Sequence, residues 1–232
     1  KAMSRDNFPS GRDAYVHASR VSELLKDPEH SSGLSEVEVA VLSVLSCRFN
    51  PVDEQTPPNA EIDDNTAAYT EALREIHIRF PSFACVSCLY AESLMNFSPW
   101  KLWCLESGVP EPHAQKARVV LDKALQRAPH HPGLNHFLVH LMEMSPTPQA
   151  ALPSCDVLRF HFPDAGHLIH MPSHIYVLLG MYDQAAACNL EAIIADEKYV
   201  SKEGIYNCYT GYRIHNIHFV AYASMFAGQF EV

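Results

Sequence analysis

Apolar residues recur every three or four positions along most of this chain, which is the spacing of one face of an amphipathic α-helix. The pattern predicts a helix over residues 13–26 and another over 35–49, the second opened by Ser35 and Glu38 at the spacing of a capping box. The polar residues 50–60 predict a loop, because their prolines cannot continue a helix. Further helices are predicted over residues 63–80, 82–96, 113–128, 148–161 and 182–198. The chain is therefore predicted to be all-α.

Three more helices are predicted to begin near Pro132, Gly166 and Ile214, and they carry half of the 14 histidines. The first holds His136, His140 and Glu143, the second holds His167, His170 and His174, and the third holds His215 and His218. An α-helix advances about 100° per residue, so spacings of three, four and seven return to nearly the same side. Each of these helices therefore carries its histidines as one narrow stripe.

Two prolines, Pro129 and Pro163, each precede a new helix start and lie 34 residues apart, which is the period of the tetratricopeptide repeat (TPR). The small and aromatic positions of the second TPR helix are matched by Gly180, Tyr182, Ala185 and Ala192. The chain thus resembles the TPR family over most of residues 60–230, although the family's W-x2-L-G opening is largely absent. The phrases GHLIHMPSHIY, PWKLW and HNIHF are similar to those of a histidine-rich subgroup of TPR-like proteins, which implies no particular reaction.

The resemblance implies an α-solenoid of TPR-like helix–turn–helix repeats with short insertions. Residues 1–232 would form a single domain, with N-terminal helices in 1–60 and repeats in 61–232. The last repeat, which begins near Ile214, lacks its second helix and is truncated. We therefore expect either that the chain is a fragment of a longer protein or that self-association or a partner chain covers the exposed C-terminal edge.

The resemblance also implies where the histidine stripes point. In TPR proteins, positions 2, 5, 9 and 12 of each first helix line the concave face of the superhelix. In this chain those positions are Gly133, His136, His140, Glu143, His167, His170, His174, Val177, His215, His218, Tyr222 and Met225. Seven of these twelve are histidine, and none is Lys or Arg, which a peptide-binding groove would normally present. The histidines are therefore predicted to converge on one concave face.

Neutral imidazole is a preferred ligand for Zn, Cu, Fe and Ni. The predicted metal ligands are His136, His140, Glu143, His167, His170, His174, His215 and His218. This set exceeds the four ligands of one tetrahedral ion, so it predicts one or two transition metal ions per chain. The nitrogen-rich set favours Cu or Zn, and Glu143 leaves Fe possible.

The chain is predicted to be a metal-dependent enzyme that acts on a small molecule. It would be an oxidoreductase or a hydrolase, and an oxidoreductase is favoured. Glu143 and Tyr222 are the candidate catalytic residues, with Glu143 as a ligand or as a general base on metal-bound water. For Trp100 and Trp103, aromatic packing that caps a solenoid turn is favoured over a ligand-stacking role. In the enzyme interpretation, an aromatic pocket would be formed by Trp100, Trp103, Tyr206, Tyr209, Tyr212 and Tyr222. The alternatives are a scaffold that binds a partner peptide, and metal storage or sensing without turnover.

Composition limits the class of partner. Hydrophobic content is 47%, charged content is 19% and the net charge is −10, which indicates a globular chain and argues against nucleic-acid or anionic-membrane surfaces. The sequence contains no run of about 18 apolar residues, so it predicts no transmembrane helix. No signal peptide is visible, so the expected location is cytoplasmic, although a chain that begins with Lys leaves open a removed leader.

Overall fold

The computed structural model describes residues 11–48, 65–207 and 209–229 of the chain. Over these ranges the prediction of an all-α chain is confirmed: the segments are helical or irregular, and strand-like pairing is limited to one isolated bridge between Trp103 and Pro110. The helices are α1 Gly11–Leu24, α2 Pro28–Ser31, α3 Glu36–Ser43, α4 Thr66–Arg79, α5 Ala84–Met95, α6 Pro112–Arg127, α7 Pro132–Met142, α8 Leu152–His161, α9 Gly166–His170, α10 Pro172–Leu178, α11 Tyr182–Glu203 and α12 Thr210–Ala227. Two short 3-10 turns lie at Leu45–Arg48 and Pro148–Ala151. None of these helices is both long enough and apolar enough to cross a bilayer.

The N-terminal helices follow their local signals only in part. The capping box is present, since the Ser35 hydroxyl accepts from the Glu38 N–H and the Glu38 carboxylate accepts from the Ser35 N–H. The helix predicted over 35–49 nevertheless ends at Ser43 and gives way to a 3-10 turn. The predicted loop over 50–60 lies outside the described residues.

Successive helices from α4 onward pack on their neighbours in sequence, α5 also packs on α7, and α9 packs more extensively on α11 than on α8 or α10. Fully buried leucines and alanines fill this core, and the alanines let helix axes approach closely. Gly133 marks one such approach, because a Cβ there would lie 2.5 Å from the Cys88 sulfur. The start of α7 is fixed at this contact, where Nδ1 of His131 accepts from the Leu134 N–H and Pro132 occupies the first turn.

The second histidine-bearing helix is broken into α9 and α10. Pro172 has no N–H to donate, so the hydrogen-bond ladder is interrupted after His170. Met171 keeps a right-handed helical conformation (φ −50°, ψ −39°), so the chain direction continues through the break. His170 and His174 therefore stay side by side on the same surface.

One face of α11 is buried between Ala185 and Asp196 and carries two polar residues among small ones: Ala185, Asn189, Ala192 and Asp196 are all fully buried. The two oxygens of Asp196 accept from the Tyr209 hydroxyl and from Nδ2 of Asn216, each at 2.8 Å. The Tyr209 oxygen in turn accepts from the His167 N–H at 3.3 Å. This network joins α9, α11 and α12, the elements that carry four of the site histidines.

The Tyr-rich segment 199–212 is less irregular than its polarity suggests. α11 continues to Glu203 and ends at Gly204, whose φ of 75° favours glycine. α12 begins at Thr210, four residues before the predicted start near Ile214.

Candidate metal centre

Helices α7, α9, α10 and α12 bring histidines together around one cleft of about 550 Å³. This histidine cleft is lined by Trp100, His136, His140, His167, His174, Gly211, Tyr212 and His215. Trp100 and Tyr212 belong to the aromatic set predicted from the sequence, and the Tyr212 ring centroid is 4.6 Å from that of His167. Trp103 lies elsewhere, with its indole N–H donating to the Leu141 carbonyl at 2.7 Å.

The described histidines form two groups that could each hold a metal ion. The first triad is His136, His140 and His167, and the second triad is His170, His174 and His215. Within each triad the candidate ligand nitrogens all lie within 4.8 Å of one another. Six of the seven predicted histidine ligands therefore belong to a triad.

The closest nitrogen pairs have the separation that a shared ion requires. Two nitrogens about 2.0–2.1 Å from one tetrahedral ion are about 3.3 Å apart. The Nε2 atoms of His136 and His167 are 3.1 Å apart, and those of His170 and His174 are 3.0 Å apart. Small ring movements would place either pair on a common ion.

Glu143 lies between the two triads at the C-terminal end of α7. Its Oε1 accepts from Nδ1 of His140 at 2.8 Å, and its Oε2 accepts from Nδ1 of His174 at 2.7 Å. A carboxylate can only accept, so it places the proton of both rings on Nδ1 and leaves both Nε2 lone pairs free. One carboxylate thus orients one ligand from each triad, although Glu143 is a member of neither.

Asn189 does the same for His170. Its Nδ2 donates to the Ala185 carbonyl at 2.7 Å, which turns Oδ1 toward the imidazole. Nδ1 of His170 then donates to Oδ1 of Asn189 at 2.6 Å. The Nε2 atom of His170 is therefore also left as an acceptor.

With both Nδ1 atoms donating, the neutral rings of His170 and His174 face each other through two Nε2 acceptors 3.0 Å apart. Two lone pairs at this distance repel unless a cation or a proton lies between them. Burial, with the adjacent His174 as the next cause, lowers the pKa of His170 to about 2, which disfavours a proton on that ring. A metal ion would satisfy both lone pairs at once.

Burial sets the charge state of most of the other ligands. It is the main reason that the pKa of His136 falls to about 3 and that of His167 to about 4, and the neighbouring imidazoles lower both further. The pKa of His215 is lowered for the same reasons. Burial alone would raise the pKa of Glu143, but hydrogen bonds from His140 and His174 outweigh it and lower the pKa to about 2. These groups are neutral imidazoles and an ionised carboxylate near pH 7.

Two predicted site residues lie apart from the triads. His218 is exposed and stacks on Tyr222 with ring centroids 6.5 Å apart. Tyr222 is 43% exposed, contacts Phe219 and Phe226, and does not line the histidine cleft.

Three residues at the site were not predicted. Phe219 packs its ring against His170, His174 and His215, with centroids 4.9 to 5.1 Å apart. The other two are Asn189 and Asp196. They lie seven residues apart in a stretch rich in alanine, and this spacing could have predicted that both share the buried face of α11.

Comparison of the chain with protein-family models, with curated proteins and with solved structures gives no match. Function is therefore inferred from the chemistry of the site.

Proposed function

We propose that this chain binds one or two transition metal ions in the two histidine triads and uses them in catalysis on a small molecule. The observation that carries the proposal is the pair of Nε2 acceptors of His170 and His174, 3.0 Å apart, with both Nδ1 protons held by Asn189 and Glu143. Building such a pair into a buried site is costly unless a cation occupies it. All six triad members are imidazoles, which favours Cu or Zn, with Fe possible.

Catalysis is favoured over storage by the openness of the site. Each triad supplies three protein nitrogens, which leaves a fourth position for water or substrate on a tetrahedral ion. His136, His140, His167, His174 and His215 reach the histidine cleft, so bound ions would be accessible from solvent. An imidazole-bound ion with an open position is suited to redox chemistry or to the activation of water, and we favour an oxidoreductase.

The site geometry suggests roles for the two candidate catalytic residues. Both oxygens of Glu143 are engaged by imidazole N–H groups, so we assign it the orientation of His140 and His174 rather than proton transfer from bound water. Tyr212, which lines the cleft against His167, is better placed than Tyr222 to meet a substrate.

We also propose that helices α4–α12 are TPR-like repeats. Two observations support this classification. Pro129 and Pro163 lie 34 residues apart, and successive helices pack on one another. The histidines of α7, α9, α10 and α12 would then occupy the concave face.

The experiment is reconstitution of metal-free protein with Cu(II), Zn(II) or Fe(II), followed by spin-resonance spectroscopy of the Cu(II) form. We expect hyperfine splitting from several imidazole nitrogens, which is reduced in His174→Ala and unchanged in the control His30→Ala at an exposed position. A spectrum without nitrogen splitting, or one that His174→Ala does not alter, would contradict the proposal. Dioxygen uptake with a panel of small reductants then separates an oxidoreductase from a protein that only stores or senses metal.

A further inference from the structure

A second cleft, of about 240 Å³, opens beside the histidine cleft and shares Trp100 and His140 with it. This tryptophan cleft lies between α5, the loop that follows α5 and the end of α7. The residues that line it on the metal side are His140 and Glu143. The residues that line it from α5 include Glu92 and Met95. A molecule in the tryptophan cleft would therefore touch a predicted metal ligand.

The walls of the tryptophan cleft are largely apolar and adaptable. Phe137 and Trp100 offer aromatic faces, and Met95 and Met144 offer thioether side chains that adjust to irregular shapes. Trp100 is 74% exposed and, among the described residues other than glycine, alone has a positive φ, of 62°. A large aromatic side chain held toward solvent on a disfavoured backbone conformation is typical of a residue with a binding role.

The charge of the tryptophan cleft is negative. Glu92 and Glu143 both line it, and no Lys or Arg does so. The Glu143 oxygens are engaged by histidines, whereas the Glu92 carboxylate interacts electrostatically with Arg48, which does not line the cleft. Burial raises the pKa of Glu92 and the nearby Arg48 offsets this in part, so the carboxylate is incompletely solvated.

We propose that the tryptophan cleft is the substrate subsite of the metal centre and that it binds a small organic amine. The apolar body of the amine lies against Trp100 and Phe137, and its ammonium group pairs with Glu92. An aromatic face and a carboxylate together recognise a cation better than either does alone. This inference rests on the proposed metal function, since the tryptophan cleft is a substrate site only if His140 holds a reactive ion.

The test is calorimetric titration of the protein as purified with 2-phenylethylamine and with the uncharged 2-phenylethanol at pH 7. In the wild type the amine should bind at least about ten-fold more tightly than the alcohol, because a hydrogen bond to a charged group contributes that much. Glu92→Gln should remove this preference. The matched control Glu106→Gln, an exposed carboxylate on the same loop as Trp100 but outside the cleft, should keep it. Trp100→Ala should weaken both ligands.

Equal binding of amine and alcohol to the wild type would overturn the inference. So would an amine preference that survives Glu92→Gln, because it would indicate coordination of the amine nitrogen directly to the metal. The metal content of every sample is measured in parallel. A sample that lacks metal but keeps the Glu92-dependent preference contradicts the metal function and not the amine site, whereas a metal-loaded sample without the preference contradicts only the amine site.

Discussion

At the scale of single residues, the structure explains why an ordinary carboxylate can organise a site made of imidazoles. Glu143 accepts from the Nδ1 atoms of His140 and His174, one histidine from each triad. Asn189 accepts in the same way from Nδ1 of His170. The sequence predicted the histidines because their spacing repeats along α7, α9, α10 and α12. It could not predict that Glu143 faces two imidazoles, since this depends on how α7 and α10 pack.

Replacement of Glu143 by Gln tests its orienting role. Gln keeps the shape but offers only one acceptor oxygen and presents an NH2 group to the second imidazole N–H, so one of the two histidines must turn. We expect metal affinity to fall about 10- to 100-fold with helical content unchanged. Competition with a chromogenic chelator measures the affinity, and Glu203→Gln at the exposed end of α11 is the matched control. Equal affinities in the two variants would contradict the assigned role.

Replacement of Asn189 by Leu tests the orientation of His170 in the same way. Leu keeps the branched four-atom side-chain shape, but the buried Nδ1–H of His170 loses its acceptor at 2.6 Å and keeps only the Ser173 hydroxyl at 3.4 Å. We expect the metal-free protein to lose about 1–3 kcal/mol of unfolding free energy, the usual cost of a buried unsatisfied donor. Urea unfolding followed by circular dichroism measures the change. An unaltered midpoint would show that Asn189 does not hold the ring.

At the scale of elements, the site depends on how α9, α11 and α12 are joined. Local sequence signals predicted that these helices exist. The helix boundaries that were predicted wrongly differ from the structure for physical reasons. Pro172 interrupts the second histidine helix without turning it, because Met171 stays helical. The helix predicted over 182–198 continues to Glu203, because the positive φ that ends it lies at Gly204. The network around Asp196 links residues distant in sequence, and no local pattern reveals such a link.

Tyr209→Phe removes the hydroxyl that bridges the His167 N–H and Asp196. We expect a loss of about 1–3 kcal/mol in unfolding free energy, since a fully buried carboxylate loses a donor. We also expect weaker metal binding by the first triad, because α9, which carries His167, loses this hydrogen-bonded link to α11. Tyr206→Phe, at a side chain 70% exposed, is the control and should change neither quantity. Indistinguishable behaviour of the two variants in chemical denaturation and chelator competition would refute this role for the network.

At the scale of the whole molecule, the described chain is all-helical, and its TPR-like classification stays a prediction. What the sequence predicted best was convergence: histidines far apart in the chain meet at one cleft. What it could not predict was their division into two triads, since that depends on the relative rotation of packed helices. His218 illustrates this, because its stripe position on α12 turns it to solvent beside Tyr222.

The stability of the metal-free protein should fall as the pH drops from about 6.5 toward about 4. The folded-state pKa values of His136, His167 and His170 are about 3, 4 and 2, whereas an unfolded chain has ordinary values near about 6.5. Below about 6.5 the unfolded state therefore binds more protons, and each such histidine removes about 1.4 kcal/mol per pH unit. Glu143, with a lowered pKa, adds a loss of the same sign below about 4.5. Urea midpoints across pH 4–8 measure this, and equal midpoints at pH 7 and pH 5 would contradict it.

The most direct test of the metal centre is elemental analysis of the purified protein, compared with variants in each triad. The two triads predict one or two ions of Cu, Zn or Fe per chain in the wild type and in His30→Ala. His140→Ala should lose the ion of the first triad and His170→Ala that of the second, both with helical content intact. A wild type that carries no transition metal and binds none on reconstitution would contradict the account, as would equal metal content in all four proteins.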